Sequence, residues 1–253
     1  MQYMGGKTRI SKQISEVINN ALYGWEIQNI QINCRNYQSL PKLGGGFVSL
    51  FCGACSVEAK VKADVKILND IHPYLIAMWK GLQNGWEPPS IITKDEYYYI
   101  KEHKEENPAL TGFVGFGCSF GGKWFGGLAC NKRGDNFCSN ARNSLMRDFD
   151  CLKNATFLNM DYREVPIPDG SVVYCDPPYI NTTKYTTGNF NHKEFWEYMR
   201  ELSQKCTVFI SEQTAPDDFV PVWEQEIKRQ LDYNKNNAPI VTEKLFVYKP
   251  IIR

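Results

Sequence analysis

Histidine is scarce in this chain: three stand among 253 residues, which leaves few partners for cysteines in a mixed Cys/His metal set. Cysteine is present, nine in all, but scattered. Cys52-Gly53-Ala54-Cys55 has CxxC spacing, yet Cys118, Cys130 and Cys138 follow at irregular intervals, so no second close pair completes a zinc set and no metal is expected. An odd number of cysteines cannot be fully paired within one chain, which points to reduced thiols and a cytoplasmic setting. No run of about 18 apolar residues exists, so no membrane span is expected. The segment Met1-Gln2-Tyr3-Met4-Gly5-Gly6-Lys7 has no apolar stretch to serve as a secretory signal. Charge of one sign is also lacking: the net charge is +1, where a dedicated non-specific DNA binder is usually more basic. There is no repeat of fixed period. There is no full Gly-x-Gly-x-x-Gly loop either, which argues against a nicotinamide-dependent enzyme.

What remains suits one globular domain with a sizeable core, since 43% of residues are hydrophobic and 13% aromatic. Residues 11–21 carry Ile14, Val17, Ile18 and Ala21 at helical spacing, with Ser11 as a candidate cap. Residues 47–51 read as a buried strand entering a Cys-Gly turn, and a helix could begin over 57–63. Residues 65–70 read as a second strand ending in Asn69-Asp70, and 73–81 as a helix with Pro73 near its start. This strand–turn–helix–strand–acid order is the front half of a nucleotide-type α/β sheet. Further strands are expected at 172–175, 207–211 and 244–248, and a helix over 195–206. Residues 85–154 read differently. They open with a charged stretch and then become rich in glycine, aromatic and basic residues, which suggests an insertion, residues 1–84 and 155–253 forming the main domain. Gly112–Gly117 and Phe120–Gly127 are not expected as core strands, because glycine at that density weakens regular structure. Between Gly112 and Arg147 stand Lys123, Lys132, Arg133, Arg142 and Arg147 against Asp135 alone. Such a local basic patch can meet phosphates if the fold gathers it on one face.

The strongest chemical signal is Asp176-Pro177-Pro178-Tyr179, directly after an expected strand. An exocyclic base amine such as adenine N6 is a poor nucleophile because its lone pair is delocalised into the ring. The Asp176 carboxylate and the Pro177 carbonyl could together accept both of its hydrogens, favouring the tetrahedral amine. Two prolines hold the turn in place beforehand. Tyr179 offers a flat face for a flipped-out base. The alternative is an ordinary proline-rich loop.

With this tetrad the chain resembles the amino-methyltransferases of DNA, most closely the Dam-like (alpha-group) adenine methyltransferases, including small bacteriophage members. The resemblance implies a Rossmann-like methyltransferase sheet with an inserted target-recognition region, and S-adenosylmethionine as cofactor. It implies direct methylation of N6 on a flipped-out adenine in double-stranded DNA, by a monomer or weak dimer. Asp176, Pro177, Pro178 and Tyr179 become the catalytic tetrad, with Asp176 also near the cofactor. Tyr3, Gly5, Gly6 and Lys7 match the family's N-terminal segment and become cofactor contacts, the glycines allowing close backbone approach and Lys7 meeting a carboxylate. A disordered terminus is the alternative there. Phe51 and Gly53 match the first cofactor motif, although Cys55 stands where a second glycine is common. Asp70 and Ile71 match the second motif, with Asp70 on the ribose hydroxyls. Its plainer use is to cap a helix ahead of Pro73. Asp161 and Tyr162 match the third motif, near the cofactor adenine, against a solvated turn as the alternative. Tyr185 and Phe190 match a loop covering the flipped base. Ser211-Glu212, at a later strand end, receives no role. In the insertion, Lys123, Trp124, Lys132, Arg133 and Arg142, with Tyr185 beyond it, become candidate DNA contacts beside Ser119, Asn136 and Asn140. Phe120, Trp124 and Phe125 could stack on bases or simply form a small core. Asp in the tetrad favours adenine over cytosine N4, where Ser is commoner. An N4-cytosine enzyme, an RNA adenine enzyme and a catalytically inactive DNA-binding relative remain open.

Overall fold

The computed structural model describes residues 1, 3–23, 46–131, 133–179, 190–228 and 240–249. Among the described residues, β1 (Phe47–Ser49), β2 (Lys66–Asn69), β3 (Thr156–Leu158), β4 (Val172–Cys175), β5 (Thr207–Glu212), β6 (Phe219–Lys228) and β7 (Ile240–Tyr248) form a seven-stranded sheet in the order β3-β2-β1-β4-β5-β7-β6. The chain divides into two compact units, Met1–Ser15 with Phe51–Val165 and Glu16–Leu50 with Pro166–Arg253. The helix α1, Ser11–Leu22, runs across the division. Its Ile14, Val17, Ile18 and Ala21 are buried at the expected helical spacing. Ser11 lies inside its first turn and donates to the Thr8 carbonyl at 3.1 Å, so it is not the acceptor of a capping bond.

In the first unit, β2 (Lys66–Asn69) pairs in parallel with β3 (Thr156–Leu158). Helix α2, Pro73–Gln83, starts on a proline whose missing N–H would be unpaired at that position anyway. Its inward face holds Leu75, Ile76, Met78, Trp79 and Leu82. Trp79 is fully buried and stacks on Phe157, ring centroids 5.6 Å apart. Removing an indole so enclosed costs about 3–5 kcal/mol. The helix expected over 57–63 is only a 3-10 turn, Glu58–Lys60, ended by Val61 in extended conformation.

Residues 85–154 belong to this unit and are mostly helical. Helix α3, Lys94–Glu102, opens with a capping box. Thr93 N–H donates to Glu96 Oε2 at 2.7 Å, and Glu96 N–H donates back to Thr93 Oγ1 at 3.2 Å. Helix α4, Pro108–Gly112, continues into a π-helical turn, Phe113–Gly117, that is buried throughout. The glycine-rich 112–117 stretch is not a strand, as expected, but it is regular all the same: it is helical and lies in the core. Its glycines reflect close packing: a Cβ on Gly112 would sit 2.0 Å from the Tyr74 carbonyl oxygen. Helix α5, Phe137–Asp150, is capped by Asn136 Oδ1, which accepts from Ser139 N–H at 2.9 Å.

In the second unit, β1 (Phe47–Ser49), β4 (Val172–Cys175) and β5 (Thr207–Glu212) run parallel and are buried along their whole length. That explains their nearly unbroken apolar text. Strand β7, Ile240–Tyr248, pairs antiparallel with β5, and β6, Phe219–Lys228, pairs antiparallel with β7. Strand β7 thus begins four residues before the expected start, and β6 is a strand where none is expected. A register shift between Pro221 and Trp223 interrupts the alternation that would have revealed it. Helix α6 spans His192–Leu202, earlier at both ends than expected, because Asn191 caps it, accepting from Glu194 N–H at 3.2 Å. The parallel strands with covering helices and antiparallel final strands make a Rossmann-like α/β sheet, as the resemblance implied. Among the described residues, no helix is long and apolar enough to cross a membrane.

Candidate active site

The first unit contains every expected cofactor residue other than Asp176. Gly5 has φ +81° and Gly53 φ +50°, conformations that suit glycine. The Tyr3 ring lies over Gly53, where an added Cβ would come within 3.0 Å of Tyr3 Cε1. Gly6 N–H donates to the Tyr3 carbonyl at 3.0 Å, closing a turn around the aromatic residue. Met4 N–H donates to the Gly122 carbonyl at 3.0 Å. The N-terminal segment is thus fastened in the structure rather than frayed. Lys7 is buried, with its ammonium 3.4 Å from the Gly5 carbonyl.

Asp70 follows β2 and is buried. Its Oδ2 accepts from Gly53 N–H and its Oδ1 from His72 N–H, both at 2.9 Å. One carboxylate therefore ties the glycine turn to the start of α2. Burial pushes its carboxyl pKa up, while the two backbone donors pull it down. Trp79 supports the same turn from α2, donating its Nε1–H to the Gly53 carbonyl at 3.3 Å. Ile71 is 46% exposed. Cys55, at the position of the common second glycine, has φ +55°. It adopts the left-handed conformation a glycine would take freely, at a cost of roughly 1–2 kcal/mol.

Phe51 and Tyr162 meet as a tilted aromatic pair, centroids 5.3 Å apart. Asn69 exchanges two bonds with Met160 at 3.1 Å, and Asn159 Nδ2 donates to the Asp70 carbonyl at 2.8 Å, so the second and third motifs are laced together. Asp161 is bound bidentately by Arg163, at 2.7 and 2.9 Å, which holds its carboxyl below the usual range. Its oxygens are thus engaged by a neighbour two residues away.

His72 carries no functional signal in the sequence. It is 8% exposed, its ring sits 4.4 Å from Trp124 and 4.8 Å from Phe116, and among the described residues Nδ1 has no hydrogen-bond partner. Burial lowers its pKa to about 4, so the ring is neutral. Nothing in the text Asp70-Ile71-His72 distinguishes it, because its significance comes from enclosure by residues 116 and 124.

In the second unit the tetrad leaves the end of β4. Asp176 is half-buried, Pro177 buried, Pro178 and Tyr179 half-buried. Tyr179 hydroxyl donates to Glu243 Oε2 at 2.7 Å. Burial pushes the phenol pKa well up, with Asp176 and Glu243 acting in the same direction, so it remains protonated. Glu243, on β7, is 6% exposed. It lies one residue before the strand expected from sequence, which hid it. Phe190 packs at the start of α6, 4.9 Å from the His192 ring and 5.4 Å from Phe195.

Of the expected DNA contacts, Lys132 and Tyr185 lie outside the described residues. Lys123 and Arg133 are exposed. Arg142 is engaged locally, donating to the Pro88 carbonyl at 2.9 Å and to Glu87 at 3.2 Å. Trp124 is half-buried; it stacks on Tyr74 at 5.5 Å and lies 4.7 Å from both Phe116 and Phe125, so its ring is engaged within the unit. Ser119 is buried against the Tyr97 hydroxyl at 2.7 Å, and Asn136 is spent on capping α5. Among the three aromatics at 120–125, Phe120 alone is well exposed, at 67%. Among the described residues no group of His, Cys, Asp and Glu is placed to hold a metal ion.

Residues 3–113 match the family model of the D12 class N6 adenine-specific DNA methyltransferases. The match takes in Tyr3–Lys7, Gly53 and Asp70 and stops before the tetrad. Among solved structures, the chain is similar to a candidate RNA methyltransferase from Pyrococcus horikoshii, at 10% identity and a TM-score of 0.38, over 83% of this chain and 77% of that one. It is also similar to SMU.472, a candidate methyltransferase complexed with SAH, at 10% identity and a TM-score of 0.30, over 92% of this chain and 55% of that one.

Proposed function

We propose that this protein is an S-adenosylmethionine-dependent methyltransferase acting on adenine N6 in double-stranded DNA. The single observation carrying the reading is the tetrad. An acid, two prolines and a tyrosine leave the end of a fully buried parallel strand, where α/β sheets place ligands, and the tyrosine is anchored by a buried carboxylate. The family match over residues 3–113 supports it from the other part of the chain.

The first unit fits the cofactor. Its glycine turn at Gly53 is covered by Tyr3 and tied to Asp70. Each Asp70 oxygen accepts one backbone N–H and keeps a further lone pair for a ribose hydroxyl. Phe51 and Tyr162 offer an apolar aromatic wall. Lys7 carries the charge to meet the methionine carboxylate, and the orphaned His72 Nδ1 is a buried polar atom that a bound ligand could satisfy. When bound, S-adenosylmethionine supplies an electrophilic methyl group.

In the second unit, Asp176 accepts a hydrogen bond from adenine N6 and draws its lone pair out of conjugation. With the cofactor bound, methylation of N6 would leave neutral S-adenosylhomocysteine and release one N6 proton to solvent, while Asp176 keeps its hydrogen bond to the remaining N6 hydrogen. Tyr179 stacks on the extruded base and holds it against the acceptors. The exposed Lys123 and Arg133 supply phosphate contacts.

The test is transfer of labelled methyl groups from S-adenosylmethionine to mixed-sequence duplex DNA and to RNA, followed by nucleoside analysis. N6-methyladenine in DNA, lowered by more than about 100-fold in Asp176→Ala while S-adenosylhomocysteine still binds, is the expected result. N4-methylcytosine, or label in RNA only, would move the substrate. Cofactor binding with no transfer to any nucleic acid would leave an inactive relative.

A further inference from the structure

We infer that Glu243 is a positioning residue that sets the ring of Tyr179 for stacking on the target base; this rests on reading Asp176–Tyr179 as the base-holding tetrad. Glu243 is an anomaly on its strand. Residues two apart on a strand share a face, so it lies on the same side of β7 as Leu245, which is fully buried. Glu243 itself is 6% exposed. A carboxylate there loses its hydration, and an apolar residue would serve the sheet better unless the carboxylate has a specific partner.

That partner is the Tyr179 hydroxyl, donating to Oε2 at 2.7 Å. The phenol stays protonated, because burial and the nearby Asp176 and Glu243 carboxylates all oppose its ionisation. It is therefore a permanent donor to an acceptor fixed on a strand paired on both sides. Glu243 faces Gln225 of β6, while the next residue, Lys244, pairs with Glu212 of β5. The tyrosine is thereby held at both ends, by the Pro177-Pro178 backbone at one and by Glu243 at the other. A stacking platform needs a fixed plane, and one hydroxyl bond to a rigid strand removes the ring's remaining freedom to tilt.

The experiment compares Tyr179→Phe, Glu243→Ala, Glu243→Gln and the double variant Tyr179→Phe/Glu243→Ala. Asp176→Ala runs alongside, and kcat and KM for duplex DNA and S-adenosylhomocysteine affinity are measured for each. Tyr179→Phe keeps the ring and removes only the bond, so it carries the test even if Glu243→Ala folds poorly. About a tenfold loss in kcat/KM for DNA is expected for each single change, with cofactor affinity unchanged. The double variant should be no slower than the slower single, and Glu243→Gln, which keeps an acceptor oxygen, should stay within about threefold of wild type. Wild-type kinetics in Tyr179→Phe, or losses that multiply in the double variant, would overturn the inference. If Asp176→Ala alone abolishes transfer and the pair does not matter, only the positioning role falls. If the wild-type protein transfers no methyl group, both readings fall together.

Discussion

Two stretches of the first unit have nearly the same composition and use it for opposite ends. Residues 112–117 and 120–127 are both made largely of glycine and aromatics. In the first, the glycines are required by their surroundings. A Cβ would sit 2.0 Å from the Tyr74 carbonyl at Gly112, 2.3 Å from the Trp124 ring at Gly115, and 2.9 Å from Met1 sulfur at Gly117. In the second, Gly121 and Gly127 have open space around them, and it is their φ angles, +64° and +103°, that call for glycine. One stretch is glycine-rich so that other groups can approach, the other so that the backbone can turn. Composition alone cannot separate the two cases, because both demands select the same residue.

Substitution can. Gly112→Ala gains about 1 kcal/mol of helix propensity but places a methyl group inside a backbone carbonyl that has nowhere to go. A destabilisation of about 3 kcal/mol or more is expected, read as a fall in the urea midpoint at unchanged slope. A stable Gly112→Ala protein would mean that the packing of α4 on α2 is looser than the structure describes. Gly127→Ala should cost less, about 1–2 kcal/mol, all of it backbone strain. Equal destabilisation at the two sites would mean that crowding and backbone strain do not divide between them in this way.

The aromatic cluster around the first stretch encloses His72, which adds a pH dependence. Burial holds its imidazole at about 4, below the ordinary 6.5, so the folded protein keeps it neutral. As pH falls below about 6.5, the unfolded chain takes up a proton that the native state does not. Stability therefore declines between about pH 6.5 and pH 4, and the decline stops below that, when both states are protonated. The full swing is about 3 kcal/mol. His72→Phe should remove it: the difference in unfolding free energy between variant and wild type should move in favour of the variant as pH drops through this window. A constant difference from pH 7 to pH 4 would show that the ring is hydrated rather than enclosed.

The parallel strands β1, β2, β4 and β5 were legible because burial on both faces leaves a run of apolar residues with a polar turn after it. The tetrad and Asp70 were legible because each directly follows such a strand. Helix α5 was not, since Asn136, which caps it, stands in a basic, polar stretch that suggested a DNA-facing surface. Trp124 and Arg142 looked like ligand contacts by residue type, but the structure engages them within the unit, against Tyr74 and Phe116 and against Pro88 and Glu87. Glu243 and His72 were missed for a common reason. Each matters through a partner or an enclosure distant in sequence, and no local spacing encodes that.

The smallest effect on stability should come from the second glycine-rich stretch and its neighbours, where the effect on binding is expected instead. Phe120 is 67% exposed beside Gly121 and Gly122, and Lys123 and Arg133 are exposed as well. Phe120→Ala removes almost no buried area, so its melting temperature should match wild type within about 1–2 °C. Lys123→Ala/Arg133→Ala should also leave melting unchanged while lowering affinity for mixed-sequence duplex DNA. The slope of log affinity against log salt should become shallower by about 2, because each phosphate left without its cation keeps its condensed counterion. An unchanged slope would place the DNA surface elsewhere on the molecule.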